Sequence, residues 1–301
     1  MKSYGICPAS CGEFVQGILD REEYLSSYAI DMFSVATLEE KQENINLGPK
    51  KSRKAIEKVF ERFNIPLREC KNISLNINSN IPIGKGMASS TADIGATIKA
   101  TLSILNKDLG NEEISLIASE IEPTDSILLY KNSIFNPVNG QVKKYLSNLN
   151  NGRVIILEPD EILETSIIRS NPNYLDIKLE NKAIINKSFD LLEEGLREQD
   201  LKLIGKACTL SSLANENIHK KPYLNEIIEI SNKMGAYGVN IAHSGTVIGI
   251  LIDNKMDHER IMSYIKEISL DDYYKRIHLS KIIGYKEREE IEWNMLKTLR
   301  W

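Results

Sequence analysis

The order of elements along the chain predicts two α+β domains, each layering helices on strands. Three observations point there. Strand-like and helix-like patterns alternate in both halves of the sequence. A polar, turn-rich stretch at 148–152 separates the halves and places a boundary there, giving domains at 1–150 and 151–301. In the first half, a glycine-bearing loop runs from a strand directly into a helix.

Residues 3–9 and 13–19 read as a strand pair interrupted by a small-residue turn, and 24–36 as a further extended stretch. Residues 51–63 form a charged amphipathic helix. In Ile73-Ser74-Leu75-Asn76-Ile77-Asn78 apolar and polar residues alternate, as in a half-buried strand. Beyond the glycine loop, Ile94, Ile98, Leu102 and Leu105 recur at helical spacing. Residues 111–119 make a second short helix with Asn111 as its expected cap. Pro123 breaks the regular structure after that helix, Asp125 falls in a turn, and 127–130 resumes as a short strand. Asn136-Pro137-Val138-Asn139-Gly140 is turn chemistry. The second half opens with a strand at 153–158, followed by helical patterns at 181–198, 201–217 and 223–234. Residues 235–252 read as two strands around a tight turn, 258–268 as a helix and 276–283 as a final strand.

Composition narrows the functional classes. Hydrophobic residues at 42% and charged residues at 27% are ordinary for a globular chain. A net charge of -4 offers no electrostatic case for nucleic acid or an acidic membrane. No apolar run approaches the roughly 18 residues of a membrane-spanning helix. The first residues lack the apolar core of a signal peptide, so the cytoplasm is the expected compartment. Cys7, Cys11, Cys70 and Cys208 are too few for a disulfide framework in 301 residues. Cys7 and Cys11 have no second Cys or His pair at zinc-site spacing, so reduced, buried thiols are expected.

The segment Ile81-Pro82-Ile83-Gly84-Lys85-Gly86-Met87-Ala88-Ser89-Ser90-Thr91-Ala92-Asp93 carries the most chemistry. A strand, a glycine loop and a hydroxyl-rich helix start make an anion site, because free backbone N–H groups and the positive end of the helix dipole converge there. Ser89, Ser90 and Thr91 sit where side-chain caps are expected. The loop is not a Walker A motif, which needs two glycines separated by four residues and then Lys and Ser/Thr. Taken by itself, it also reads as a capped helix after a glycine turn.

This loop resembles the phosphate loop of the GHMP kinases, the family of galactokinase, homoserine kinase and mevalonate kinase. Their Pro-x-x-x-Gly-Leu-x-Ser-Ser-Ala is matched by Pro82 to Thr91, with Met87 for Leu and Thr91 for Ala. Three further segments fit. Cys7-Pro8-Ala9-Ser10-Cys11-Gly12-Glu13-Phe14-Val15-Gln16-Gly17 is similar to the N-terminal substrate-and-nucleotide segment, with Ser10 where the mevalonate branch has a lysine. Glu120-Ile121-Glu122-Pro123-Thr124-Asp125-Ser126 lies where the family has a metal-binding Glu and a catalytic Asp. His243-Ser244-Gly245-Thr246-Val247-Ile248-Gly249 matches the C-terminal glycine-rich turn beside the active site. Taken alone, these three also read as a strand with a turn, an acidic interhelical loop and a hairpin turn.

The resemblance implies a ribosomal S5 domain 2-like N-terminal domain and a ferredoxin-like α/β sandwich after it. It implies ATP and Mg²⁺. Nucleotide binding falls to Pro82, Gly84, Lys85, Gly86, Met87, Ala88, Ser89, Ser90 and Thr91. Metal binding falls to Ser90 and Glu120, with Glu122 as the alternative carboxylate. Asp125 is implied as the base, or as the group that orients the acceptor hydroxyl. Lys85 either supplies positive charge or faces solvent. Glu13, Gln16 and Gly245 are the candidate substrate contacts. Within the family, the N-terminal segment, the Ser-Ser-Thr-Ala-Asp helix start and Glu-Pro-Thr-Asp together resemble the threonine-kinase branch of cobalamin biosynthesis. That branch implies free L-threonine as acceptor, phosphorylated for the aminopropanol arm of the corrinoid. Homoserine kinase and a non-catalytic GHMP-fold binding or regulatory protein are the rival readings. Partners are then ATP and a small molecule, with neither nucleic acid nor membrane, and a homodimer left open.

Overall fold

The structure, a computed structural model, describes residues 1–41, 48–163 and 173–300. Two long antiparallel strands, β1 (Lys2–Leu19) and β2 (Glu22–Glu40), form its spine. Asp20 and Arg21 join them, both at positive φ. Positive φ at both central residues is the tight hairpin geometry whose twist matches paired strands.

The expected turn within 3–19 is absent. β1 runs through it, and the small residues there make bulges: its register against β2 shifts between Pro8 and Ala9, between Ser10 and Glu13, and between Glu13 and Val15. An added residue in one strand bends it locally and re-aims its side chains without ending the pairing. Gly12 sits at φ +64, and a Cβ there would meet the carbonyl oxygen of Ile241 at 2.3 Å. Only glycine permits both the left-handed backbone and that approach.

The remaining strands are β3 (Ile73–Ser79), β4 (Ser133–Phe135), β5 (Val142–Tyr145), β6 (Gly152–Glu158), β7 (Gly238–Ile241), β8 (Ile248–Asp253) and β9 (Arg276–Lys281). They form one antiparallel sheet in the order β5-β4-β2-β1-β7-β8-β6-β9, with β3 pairing β2. The two halves of the chain therefore meet inside a sheet. The junction is the pair Glu13–Ile241, supported by a second bridge between Ile30 and Ile282.

Helix α1 (Lys50–Arg62) packs on α2 (Ser89–Ile104), as does α3 (Asn111–Ser119), while α2, α4 (Tyr174–Glu180), α5 (Lys182–Glu198) and α6 (Leu201–Asn215) pack on β1. α2 buries almost all of its length, from Thr91 to Leu102, because its Ala, Gly, Thr and Ile residues let it lie close to the sheet. Helices α7 (Leu224–Lys233) and α8 (His258–Glu267) cover the second half. There Ile155, Leu157, Ile227, Val239, Ile241, Ile248, Ile250 and Ile261 form a separate core.

Other local expectations are revised. Asn111 is the first residue of α3 rather than its cap, a position Gly110 takes. Residues 127–130 are not a strand, because Asp125 caps a 3₁₀ turn at Ser126–Leu128 by accepting from the Ile127 N–H. Sequence reading also passed over β4, β5, α4 and a C-terminal helix, α9 (Tyr285–Arg300). Ile291, Met295, Leu296 and Leu299 of α9 pack on Ile6, Phe33 and Ile283, but charged residues on three sides dilute that stripe.

All four cysteines are buried and free. Burial pushes the Cys7 thiol up to about 11 and that of Cys11 up to about 12, so neither is a reactive thiolate. Among the described residues no helix is long and apolar enough to cross a membrane.

Candidate active site

Four segments far apart in sequence converge at the start of α2. The loop before it turns through Gly84 at φ 70, Gly86 at φ 80 and Ala88 at φ 57. Its carbonyls are anchored at three places: Gly84 accepts from Leu163 N–H at 2.9 Å, Lys85 from Thr246 N–H at 2.9 Å, and Met87 from Ser10 N–H at 3.2 Å. Its amides are not. Among the described residues, no backbone N–H from Gly84 to Ser90 donates to the protein. A run of unpaired N–H groups at a helix N-terminus, with left-handed backbone at every second residue, has the shape of a cradle for an anion. Met87 is fully buried and Pro82 half-buried, so these two hold the loop's shape.

The hydroxyls do not cap. Ala88 is the N-cap residue, and no side chain bonds the free amides. Instead Ser90 Oγ donates to Glu122 Oε1. Thr91 Oγ1 accepts from the Asp125 N–H at 3.3 Å and from Thr124 Oγ1 at 3.2 Å, while Ser89 is half-buried at the helix start. These bonds tie the 120–126 loop to the first turn of α2.

Of the two candidate acids, it is Glu122 and not Glu120 that the structure brings to Ser90. Glu120 sits at the end of α3 with its side chain 49% exposed, paired with Lys58 at 2.9 Å. Glu122, two residues on, meets Ser90 of α2, with Lys51 on its other oxygen.

Asp125 is buried beside the β1 bulge. Its Oδ2 accepts from Ser10 Oγ at 3.4 Å and its Oδ1 from the Ile127 N–H at 3.3 Å. Its carboxyl is pushed up to about 7, first by burial and then by the negative charge of Glu13 nearby. The turn behind Asp125 is held from the C-terminus. Arg288 of α9, fully buried, donates from Nη1 to the carbonyls of Ile127 and Leu129 at 2.5 and 3.0 Å. Glu292 accepts from Arg288 Nε at 2.8 Å, Lys99 Nζ at 2.8 Å and Tyr130 OH at 2.7 Å. Sequence reading missed this network, although Arg288 and Glu292 stand one helical turn apart.

Glu13 and Gln16 diverge. Glu13 Oε2 accepts from the His243 backbone N–H at 3.0 Å and lies 2.9 Å from His243 Nδ1. His243 Nε2 is 2.9 Å from Ser211 Oγ, which accepts from the Gln16 N–H at 3.1 Å. The Gln16 side chain turns away to Glu23 Oε1 at 2.6 Å. Gly245 faces the 84–90 loop: a Cβ on it would lie 2.3 Å from both Gly86 Cα and the Lys85 oxygen. Its glycine therefore serves backbone-to-backbone packing. Lys85 does not face solvent. It is buried, and its Nζ donates to the carbonyls of Pro159 and Glu161 at 2.6 Å each. It is a strut between the loop and the second half of the chain.

Known proteins resemble this chain in sequence and in fold. The family model described as GHMP kinases N terminal domain matches residues 50–128, and that described as GHMP kinases C terminal matches 192–268. An L-threonine kinase of Salmonella typhimurium is 31% identical over 278 residues, 92% of this chain and 92% of its own length. A crystal structure of mevalonate kinase superposes with a TM-score of 0.68 at 23% identity, over 93% of this chain and 99% of the other. A homoserine kinase from Cytophaga hutchinsonii gives 0.69 at 17% identity, over 93% and 95%. The chain belongs to the GHMP kinase family, whose members are small-molecule kinases that use ATP.

Proposed function

We propose that this protein transfers the γ-phosphoryl group of ATP to the side-chain hydroxyl of free L-threonine, giving L-threonine O-3-phosphate. The observation that carries the reading is the junction of the unpaired loop amides, the Ser90–Glu122 contact and Asp125 at one helix start. The 31% identity to an L-threonine kinase over 92% of the chain supports the acceptor. On this reading residues 1–150 bind nucleotide and 151–301 complete the acceptor side. The product would feed the aminopropanol arm of a corrinoid.

Phosphoryl transfer asks a protein chiefly for positioning and charge stabilisation. The amides of residues 84–90 would hold the β- and γ-phosphates. Ser90 and Glu122 are two hard oxygen donors already in contact. That pair suits Mg²⁺, which takes few protein ligands and completes its shell with water and phosphate oxygens. Bound there, the cation would neutralise charge on the phosphates. As the threonine oxygen bonds to the γ-phosphorus, the bond to the bridging oxygen of ADP breaks, and the hydroxyl proton passes to Asp125. Above pH 7 most Asp125 is ionised and able to take it.

An ADP-release assay with Mg-ATP against L-threonine, L-serine, L-homoserine, mevalonate and galactose tests the reading. L-threonine is expected to lead. A kcat/KM for homoserine about tenfold above that for threonine, about 1.4 kcal/mol in transition-state binding, overturns the acceptor.

A further inference from the structure

Lys221 lies in the connection between α6 and α7. It is 3% exposed, and its Nζ has no hydrogen-bond partner. Among the described residues no other buried lysine or arginine has its whole charged group unbonded. Lys85 and Lys178 donate to named acceptors, as do Arg53 and Arg288 through part of their guanidinium groups. Proteins seldom bury an ammonium without a partner, because its desolvation goes uncompensated.

The surroundings of Lys221 belong to the site above. The acids whose charge it feels are Glu13 first and then Glu216. Glu13 also acts on Asp125, so this one carboxylate neighbours both the acceptor-activating group and the buried amine. Glu216 is occupied at least in part, accepting from the Lys221 backbone N–H at 2.8 Å. The adjacent His219, held by the Gly245 backbone, is pulled down to about 4 by burial first and then by Lys221, so it contributes no charge at neutral pH. Burial likewise pulls Lys221 itself down to about 7. An anionic ligand would restore its proton and supply the missing bond.

We propose that Lys221 Nζ receives the α-carboxylate of the amino-acid acceptor, with Glu13 on the ammonium side and the hydroxyl directed to Asp125. This rests on the amino-acid acceptor reading above. It makes Lys221 a specificity-determining residue, since acceptors without a carboxylate leave the amine as unsatisfied as it is now.

Steady-state kinetics of the full chain with Mg-ATP test the assignment, using wild type, Lys221→Met and Lys221→Arg. Lys221→Met should raise KM for L-threonine about thirtyfold or more, equivalent to about 2 kcal/mol. Its KM for ATP should stay within about threefold, as for a residue that does not touch nucleotide. Lys221→Arg should recover much of the threonine affinity because the charge remains. Wild type should favour L-threonine over 1-amino-2-propanol, the same molecule without the carboxylate, and Lys221→Met should lose that preference. An unchanged threonine KM, an equal rise in the ATP KM, or a wild type indifferent to the carboxylate each overturns the assignment. If Lys221→Met does not fold, the Arg variant and the wild-type preference still decide it. The two failures are distinct. A wild type that phosphorylates no hydroxy amino acid refutes the acceptor reading, whereas one that uses threonine and is matched by Lys221→Met refutes Lys221 alone.

Discussion

Asp125→Asn separates chemistry from stability, and its two effects have opposite signs. Asn keeps the shape of the carboxylate: its Oδ1 can still accept from the Ile127 N–H, while its amide NH₂ can donate to Ser10 Oγ, whose hydroxyl then acts as acceptor. It cannot take a proton. General-base catalysis is typically worth about 10²–10⁴-fold, so kcat should fall by that amount with little change in ATP affinity. Stability should move the other way. The Asp125 pKa rises from 3.8 to about 7 in the fold, so between those values the unfolded chain has already released a proton that the native state retains. Native stability therefore declines as pH climbs from about 4 to 7 and stays reduced above that. Three pH units at 1.36 kcal/mol each set a ceiling of about 4 kcal/mol on the penalty. Removing part of it should make Asp125→Asn melt at least about 2 °C above wild type at pH 8, with the difference vanishing near pH 4. Thermal melts across pH, paired with initial rates at saturating Mg-ATP, give both numbers. With L-threonine saturating as well, wild-type kcat should climb about tenfold per pH unit below 7 and level off above it, while the variant stays flat. A kcat loss under about threefold would refute the base role. A variant less stable than wild type at pH 8 would refute the claim that burial of a charge sets this pKa. An intermediate loss assigns Asp125 to orienting the hydroxyl, since pre-organisation itself lowers a barrier.

Ser90→Ala should lower kcat and raise the Mg²⁺ concentration needed for half-maximal rate, with melting unchanged; wild-type turnover at limiting Mg²⁺ would remove Ser90 from the site. Glu122→Gln should reproduce that metal dependence, whereas Glu120→Gln, which only breaks an exposed pair with Lys58, should stay within about 0.5 kcal/mol of wild type in stability and leave the rate alone. Metal titrations that rank the two variants in reverse would restore Glu120. The Glu292 network should fail in acid. Burial pushes this carboxyl up, but Lys99 and Arg288 outweigh that and hold it at about 2, against 4.5 unfolded. Its contribution of about 3 kcal/mol is present above 4.5 and is lost as pH falls through 2. Glu292→Gln should therefore melt earlier at pH 7 and lose less on acidification, and equal acid slopes in the two proteins would refute the assignment.

Much of the fold was readable from local pattern. The alternation at 73–78, the helical spacing from Ile94 to Leu105 and the isoleucine-rich pair at 238–253 each carry their period in a few residues, because burying one face of a strand or helix constrains neighbours at fixed intervals. The turn before α2 was readable for a related reason: glycines ahead of a helix start mark a left-handed backbone that leaves amides free. Contacts between distant segments were not readable. Ser10-Cys11-Gly12 has the composition of a turn, yet it is a bulge because β2 pairs on both sides of it and Ile241 passes against Gly12. Ser90 and Thr91 have the composition of helix caps, yet their hydroxyls bind Glu122 and the Asp125 segment. Glu120 and Glu122 are equivalent acids in sequence, and only the packing of α1 and α2 against the end of α3 gives one to Lys58 and the other to Ser90. Lys85 has the look of a phosphate ligand and Lys221 of an ordinary loop lysine, but burial ties the first to two carbonyls and leaves the second without a bond. Local sequence decides which conformation a segment prefers, whereas the partner of a polar side chain depends on which other segment the packing brings within about 3 Å of it.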